Sequence, residues 1–185
     1  MALLLIGCIP SVNSFYTEKD LTFEPRLLGE WQAKNESDQP AEWQFERGEG
    51  KTYKLTVIQE KIKRGEFSAH LFKLGKENFL DIIPSKIDYA SDQADLVANT
   101  MFPGHLVLRA AQIEPVLKLQ GFDFDWLKAY LEENPKALAH HKESGAILLT
   151  AGTADLQSFI LAHLGEGQLF TKGSELTHKT GTGAQ

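Results

Sequence analysis

The chain has 185 residues, of which 42% are hydrophobic and 24% are charged, and its formal net charge at pH 7 is −6. This composition is typical of one globular domain and excludes wholesale disorder. The acidic balance and the lack of basic clusters argue against nucleic acid as a partner. No stretch approaches the ~20 apolar residues of a transmembrane helix. The single cysteine excludes an intrachain disulfide and a multi-cysteine metal site.

The N-terminal residues form a short apolar run that ends in Leu5-Ile6-Gly7-Cys8. This pattern resembles the lipobox of bacterial lipoproteins, in which a cysteine after small residues receives lipid and becomes the mature N-terminus. A thiol suits this role because its thiolate is a strong nucleophile. Residues 1–8 are therefore predicted to be a truncated lipoprotein signal, with Cys8 as the lipidation site. The resemblance implies a protein of the bacterial cell envelope that is anchored to a membrane through this lipid.

A different interpretation of the same residues stays open. No Lys or Arg precedes Cys8, although a secretory signal normally begins with a basic region. The alternative is a soluble cytoplasmic β-rich domain whose apolar N-terminus contains a cysteine by chance. Residues 9–24 are rich in Ser, Thr, Asn and charge and show no sustained period, which predicts a flexible tether between membrane and domain.

Residues 25–171 are predicted to form a single β-rich domain. Apolar and polar side chains alternate with a period of two as far as about residue 119, which indicates β-strands. Tight turns such as Gly48-Glu49-Gly50 separate the alternating segments, so consecutive strands are expected to pair as an antiparallel meander. The predicted strands are 26–31, 43–46, 53–57, 67–71, 79–83, 105–110 and 116–119. Because open sheet edges are unfavourable, the meander is expected to curl or to close like a barrel.

The period changes near Phe122 to the 3.6 residues of a helix. Helices are predicted at Asp125–Asn134 and Ala154–Leu164, on either side of a short strand at Ala146–Thr150, with Asp123 or Asp125 as the first N-cap. The two helices are expected to pack on the sheet, so the fold class is mostly β (α+β). Residues 172–185 are polar and rich in Gly and Thr, and they are predicted to be disordered.

The segment Gly29-Glu30-Trp31 at the start of the meander is similar to the Gly-x-Trp signature of lipocalins and other calycins. In that family the Trp closes the bottom of an up-and-down barrel that binds small apolar ligands. The family also has an Arg near the last strand that packs over this Trp, and Arg109 is the nearest candidate here. The layout as a whole resembles uncharacterised bacterial lipoproteins with a calycin-like β meander.

Four aromatic residues on predicted strands are the candidates for ligand contact: Trp31, Trp43, Tyr53 and Phe67. The alternative is that they fill a solid core, because aromatic side chains dominate core burial and an eight-stranded barrel can be packed without a cavity. We therefore expect a lipid-anchored envelope protein with a binding or interaction role, whose partner is a small apolar ligand or another envelope protein.

No catalytic motif is recognised, and no cofactor or metal is predicted. None of the six histidines has the spacing that places two imidazoles on one helical face. An envelope enzyme or enzyme accessory is the alternative, with its site near the polar connection 85–104, because long connections are often functional. That alternative expects a carboxylate such as Asp81, Asp88 or Asp92 to converge with a histidine in a cleft. His70 and His105 lie on predicted strands.

Overall fold

The computed structural model describes residues 9–33, 41–59, 62–85 and 103–179. Ten strands and two α-helices are present in these ranges, together with three 3-10 helices at Glu18–Asp20, Pro25–Leu27 and Leu164–Glu166. In chain order the longer elements are β1 Gly29–Ala33, β2 Glu42–Arg47, β3 Thr52–Gln59, β4 Ile62–Leu74, β5 Glu77–Pro84, β6 Leu106–Gln112, β7 Val116–Gln120, α1 Phe124–Glu133, β8 His140–Glu143, β9 Ala146–Leu149, α2 Thr153–His163 and β10 Ser174–His178.

Eight of the strands form a closed antiparallel barrel. Strands β1 to β7 pair with their neighbours in sequence, and β10 lies between β7 and β1 to complete the circle. The register places Trp31 opposite both Trp43 on β2 and His178 on β10. The predicted fold class is confirmed, because the molecule is mostly β, barrel-shaped and carries two helices on its surface.

Alternate residues of each barrel strand face the interior, as the pleat of a strand requires. Their side chains form one buried apolar cluster that also includes Leu27 of the second 3-10 helix. The interior residues of this cluster on the strands are Trp31, Trp43, Phe45, Tyr53, Leu55, Ala69, Leu71, Leu80, Ile82, Leu108, Ala110, Leu117, Leu119 and Leu176.

A second apolar cluster lies on the outside of the barrel, where α1, α2 and the β8–β9 hairpin cover β4, β5 and β6. Phe72, Phe79 and Val107 belong to the barrel side of this cluster. Helix α1 begins as predicted, with the Asp123 carboxylate accepting a hydrogen bond from the backbone N–H of Trp126 at 2.9 Å. The two α-helices agree with the predicted ranges to within about one residue at each end.

The segment from Ile9 to Glu24 is packed against the barrel, so the prediction of a flexible tether was wrong. Ile9 and Phe15 are fully buried in the outer cluster. Ser11 forms a two-way backbone pair with His105, with both N···O distances at 2.9 Å. The apolar residues of this segment are too irregularly spaced to indicate a period, yet they are enough to attach it to the outer surface.

The C-terminal tail also differs from its prediction. Residues 174–178 are not disordered but form β10, the strand that closes the barrel. Leu176 is the one buried residue of this strand, so the sequence carries little of the alternation that marks a strand. The first predicted strand is shorter than expected, because Pro25–Leu27 is a 3-10 helix. Residues 1–8, including Cys8, and residues 86–102 and 180–185 lie outside the described ranges.

Candidate functional site

The 3-10 helix Pro25–Leu27 packs at the end of the barrel where β1 begins. The Trp31 indole Nε1 donates to the backbone carbonyl of Leu27 at 2.9 Å. The backbone N–H of Glu24 donates to the Tyr53 hydroxyl at 2.7 Å, and that hydroxyl lies 3.2 Å from the carbonyl of the same Glu24. Burial raises the pKa of Tyr53, which keeps its hydroxyl protonated as a donor. These bonds from two fully buried aromatic residues attach the helix to the barrel interior.

His178 packs against Trp31 at this same end. The centroids of the imidazole and indole rings are 3.6 Å apart. Gly29 has a φ of +119°, which residues with side chains rarely adopt, and a Cβ there would lie 3.3 Å from Cε1 of His178. Glycine at the first position of the Gly-x-Trp segment therefore makes room for the imidazole as well as permitting the turn.

Arg109 does not pack over Trp31, so that prediction was wrong. It lies on the outer face of β6, where its guanidinium donates to one carboxylate oxygen of Glu77 at 2.8 and 3.1 Å. Successive residues of a strand point to opposite faces, and Leu108 and Ala110 take the interior positions. The residue that packs on the Trp31 ring is His178.

The structure brings the four predicted aromatic candidates to one interior. Trp31, Trp43 and Tyr53 are 0%, 2% and 0% exposed, and the partly buried Phe67 packs against the same cluster. Sequence reasoning did not find one feature of this interior. The indole Nε1 of Trp43 is buried and has no hydrogen-bond partner among the residues that the structure describes. A buried donor without an acceptor is uncommon in native structures.

A second group of polar side chains lies on the outer face of the barrel, beneath the N-terminal segment. Asp81 of β5 is 0% exposed. One of its carboxylate oxygens accepts the backbone N–H of Phe15 at 2.9 Å, and the other lies 2.8 Å from Nδ1 of His105. Because a carboxylate only accepts, Nδ1 carries the hydrogen and Nε2 is the remaining ring nitrogen. Asp81 thus meets a histidine, as the enzyme alternative expects, but the carboxylate is fully buried beneath the N-terminal segment rather than placed in a cleft.

His70 and Tyr16 complete this group, which with Asp81 and His105 forms the outer polar group. His70 lies directly opposite Asp81 on β4, and its ring stacks on that of Tyr16 at 4.7 Å. Burial lowers the pKa of His70, although the nearby Asp81 charge acts in the opposite direction. Burial, together with the charges of Asp81 and Glu18, raises the pKa of Tyr16 to about 12. The group therefore contains one carboxylate, a histidine paired with it, and a second histidine held neutral.

Other kinds of site are not found in the part of the chain that the structure describes. No group of three or more His, Cys, Asp or Glu residues is placed there to hold a metal ion. None of the helices described is long and apolar enough to cross a membrane. Asp88 and Asp92, which the enzyme alternative also named, lie outside the described residues.

Comparison of this chain with protein-family models, with curated proteins and with solved structures finds no match. Its function therefore has to be argued from its own residues.

Proposed function

We propose that this chain is a binding protein of the bacterial cell envelope whose barrel takes a small, mainly apolar ligand. The observation that carries the proposal is the closed eight-stranded barrel with an apolar, aromatic interior. Barrels of this strand number are wide enough to hold one small ligand or to be filled by side chains. The 3-10 helix bonded to Trp31 packs at one end of the barrel, and we expect the ligand to enter at the other end.

A neutral fluorescent probe, N-phenyl-1-naphthylamine, tests this proposal. We expect saturable binding with one site per chain, and energy transfer from tryptophan to the probe because Trp31 and Trp43 lie in the interior. Ala69→Leu adds volume inside the barrel and should abolish binding. Ala154→Leu adds the same volume on an exposed residue of α2 and serves as the matched control. No saturable binding by the wild-type chain, or equal binding by both variants, would contradict a ligand-binding interior.

We propose further that lipid on Cys8 attaches the chain to a membrane. Ile9 is 2% exposed, and the residue after it is bonded to β9, whose Leu149 N–H donates to the Pro10 carbonyl at 2.9 Å. The parallel bridge between Ser11 and Leu149 aligns the preceding residues with the β8–β9 hairpin. Because consecutive Cα atoms are ~3.8 Å apart, a lipid on Cys8 would hold this hairpin beside the bilayer with no tether between them.

Metabolic labelling with a fatty-acid analogue in the bacterial host tests the anchor. The wild-type chain should be labelled and Cys8→Ser should not, and equal labelling of both would contradict lipidation at this residue. Two spin labels then test the orientation. A label at Ser144, in the hairpin turn, should lie nearer the bilayer than a label at Glu49, in the turn between β2 and β3. The reverse order would contradict the proposed placement of the hairpin.

A second candidate function, an enzyme, is favoured by one observation, the buried Asp81–His105 pair. A carboxylate that orients a histidine in this way is a recurring arrangement in general-base catalysis. A panel of chromogenic carboxylic esters, phosphate esters and glycosides tests this candidate. An enzyme using the pair should lose turnover in His105→Gln and retain it in His141→Gln, where the side chain is 66% exposed. No turnover by the wild-type chain would count against this candidate and leave the binding role.

A further inference from the structure

We infer that the ligand presents a neutral hydrogen-bond acceptor, such as a ketone, ester or amide oxygen, to the indole Nε1 of Trp43. The inference rests on the proposed binding function and states the chemical class of the ligand. It starts from the three tryptophans of the chain, of which Trp31 and Trp43 face the barrel interior. The indole Nε1 of Trp31 donates to the Leu27 carbonyl, whereas that of Trp43 has no hydrogen-bond partner in the described part of the chain.

Among the described residues, none accepts a hydrogen bond from Nε1 of Trp43. Its register neighbours are Trp31 and Val57, and the ring of Phe45 lies with its centroid 6.2 Å away. The only side-chain acceptor among the described residues of the interior cluster is the Tyr53 hydroxyl, which is already engaged with Glu24. A donor that is buried without an acceptor is unfavourable, so a ligand that supplies one gains more here than at a solvated donor.

The acceptor is expected to be neutral rather than anionic. Among the described residues, Ser11 and Asp81 are the buried polar or charged ones, and both lie outside the barrel interior. A carboxylate moved into such an interior loses its hydration and gains one hydrogen bond. The free energy of that bond is too small to compensate for the lost hydration. An uncharged carbonyl gives up much less hydration for the same bond. An apolar body with one neutral oxygen is therefore the ligand that these side chains fit.

The position of Trp43 along the barrel agrees with this role. Gly29 at the helix-bonded end pairs with Phe45, whereas Trp43 pairs with Trp31, two residues further along β1. Trp43 therefore lies farther from the 3-10 helix than Phe45 does. We expect the ligand to enter from the end opposite the 3-10 helix, so that it meets the Trp43 donor before the Phe45 ring, towards which its apolar body then extends.

Three small probes that differ at a single group test the inference with the full chain: acetophenone, α-methylstyrene and benzoate. The first has a ketone oxygen where the second has a methylene, and the third replaces the ketone methyl by a charged oxygen. We expect acetophenone to bind about fivefold more tightly than α-methylstyrene, which corresponds to one net hydrogen bond of about 1 kcal/mol. Benzoate should bind more weakly than either. Dissociation constants from ligand-observed NMR provide the comparison.

The indole ¹⁵N–¹H signals give a readout on the wild-type chain that needs no folded variant. Acetophenone should shift the Trp43 signal downfield, α-methylstyrene should not, and the Trp31 signal should keep its hydrogen-bonded position. In Trp43→Phe, acetophenone should lose its fivefold advantage while α-methylstyrene binds as before. Trp126→Phe, on α1 outside the barrel, is the matched control and should retain the advantage.

The possible failures are distinguishable. Equal binding of acetophenone and α-methylstyrene, or tightest binding of benzoate, would overturn the inference about the acceptor and leave the binding function intact. An unmoved Trp43 signal with bound acetophenone would also overturn the inference about the acceptor, since Nε1 would then have met no acceptor on the ligand. Failure of all three probes to bind would overturn the inference together with the proposed function, because the interior would then be a filled core.

Discussion

Trp31→Ala should be among the most destabilising single substitutions in the barrel. Trp31 is 0% exposed, donates to the Leu27 carbonyl at 2.9 Å, and carries the His178 ring on its face. Replacing a buried Trp by Ala costs about 3–5 kcal/mol through lost burial and the cavity left behind. The lost hydrogen bond, about 1 kcal/mol, places this substitution in the upper part of that range, so we expect a loss of about 4–5 kcal/mol in the free energy of unfolding.

Thermal and urea unfolding followed by circular dichroism measure this loss. For a chain of this length each kcal/mol corresponds to about 2–4 °C, so the melting temperature should fall by about 8–20 °C. Trp31→Phe retains most of the apolar surface and should cost only about 1–2 kcal/mol, mainly for the hydrogen bond. Trp126→Ala removes a partly buried indole from α1 and should cost about half as much as Trp31→Ala. A Trp31→Ala chain that loses less than about 1.5 kcal/mol would refute the argument that this side chain joins the helix to the barrel.

Three further predictions concern the outer polar group. Asp81→Asn removes the charge that accepts two hydrogen bonds and should lower the free energy of urea unfolding by about 2 kcal/mol. Glu77→Gln, at a partly exposed ion pair, should lower it by at most about 1 kcal/mol. Equal losses in the two variants would contradict the burial of the Asp81 carboxylate. The pKa of His70 is lower in the folded chain, so the unfolded chain binds more protons and stability should fall as the pH drops from about 7 to about 5. His70→Gln should flatten this dependence of stability on pH, and an unchanged dependence would count against His70 as its cause. The pKa of Tyr16 is raised to about 12, so the folded chain retains this proton and stability should fall as the pH rises above about 10. Tyr16→Phe should reduce this fall, and the remainder is expected from Tyr53, whose pKa burial also raises. An equal fall in wild type and Tyr16→Phe would contradict the raised pKa of Tyr16.

The barrel was predictable where local pattern and local turns agree. Trp43 and Phe45 alternate with polar residues, and the glycines at 48 and 50 place a turn directly after them. Hairpin pairing of neighbouring strands then follows from chain connectivity alone, without knowledge of distant residues. Asp123 marked the start of α1 for a similarly local reason, because an N-cap side chain bonds a backbone N–H only three residues away.

The two terminal segments that were predicted to be flexible or disordered both depend on distant partners for their structure. Strand β10 contributes one buried residue, Leu176, and its hydrogen bonds go to β1 and β7, far away in sequence. The N-terminal segment has no period of its own and is held by bonds such as that from Thr22 N–H to the Leu71 carbonyl. Tertiary contacts of this kind leave little trace in composition or periodicity, and polar segments at chain ends therefore resemble disordered ones.

The outer polar group was predictable in its components and not in its geometry. The sequence identifies Asp81 as a candidate site residue that would need a histidine partner, and the chain has six histidines. His105 is 24 residues away in sequence, and His70 is 11 residues away. Which histidine meets the carboxylate depends on the register of β4, β5 and β6, and a shift of one residue moves every side chain to the other face. Only the structure supplies that register.

His178 shows how a partner on a strand distant in sequence escapes prediction. It lies on β10, and the register places it directly opposite Trp31 on β1. Its ring packs on the indole, with the two ring centroids 3.6 Å apart. The predicted partner, Arg109, lies on the outer face of β6 and bonds Glu77, because its neighbours Leu108 and Ala110 take the interior positions. Which side chain meets Trp31 therefore depends on which strand closes the barrel and in which register, and a local sequence pattern contains neither.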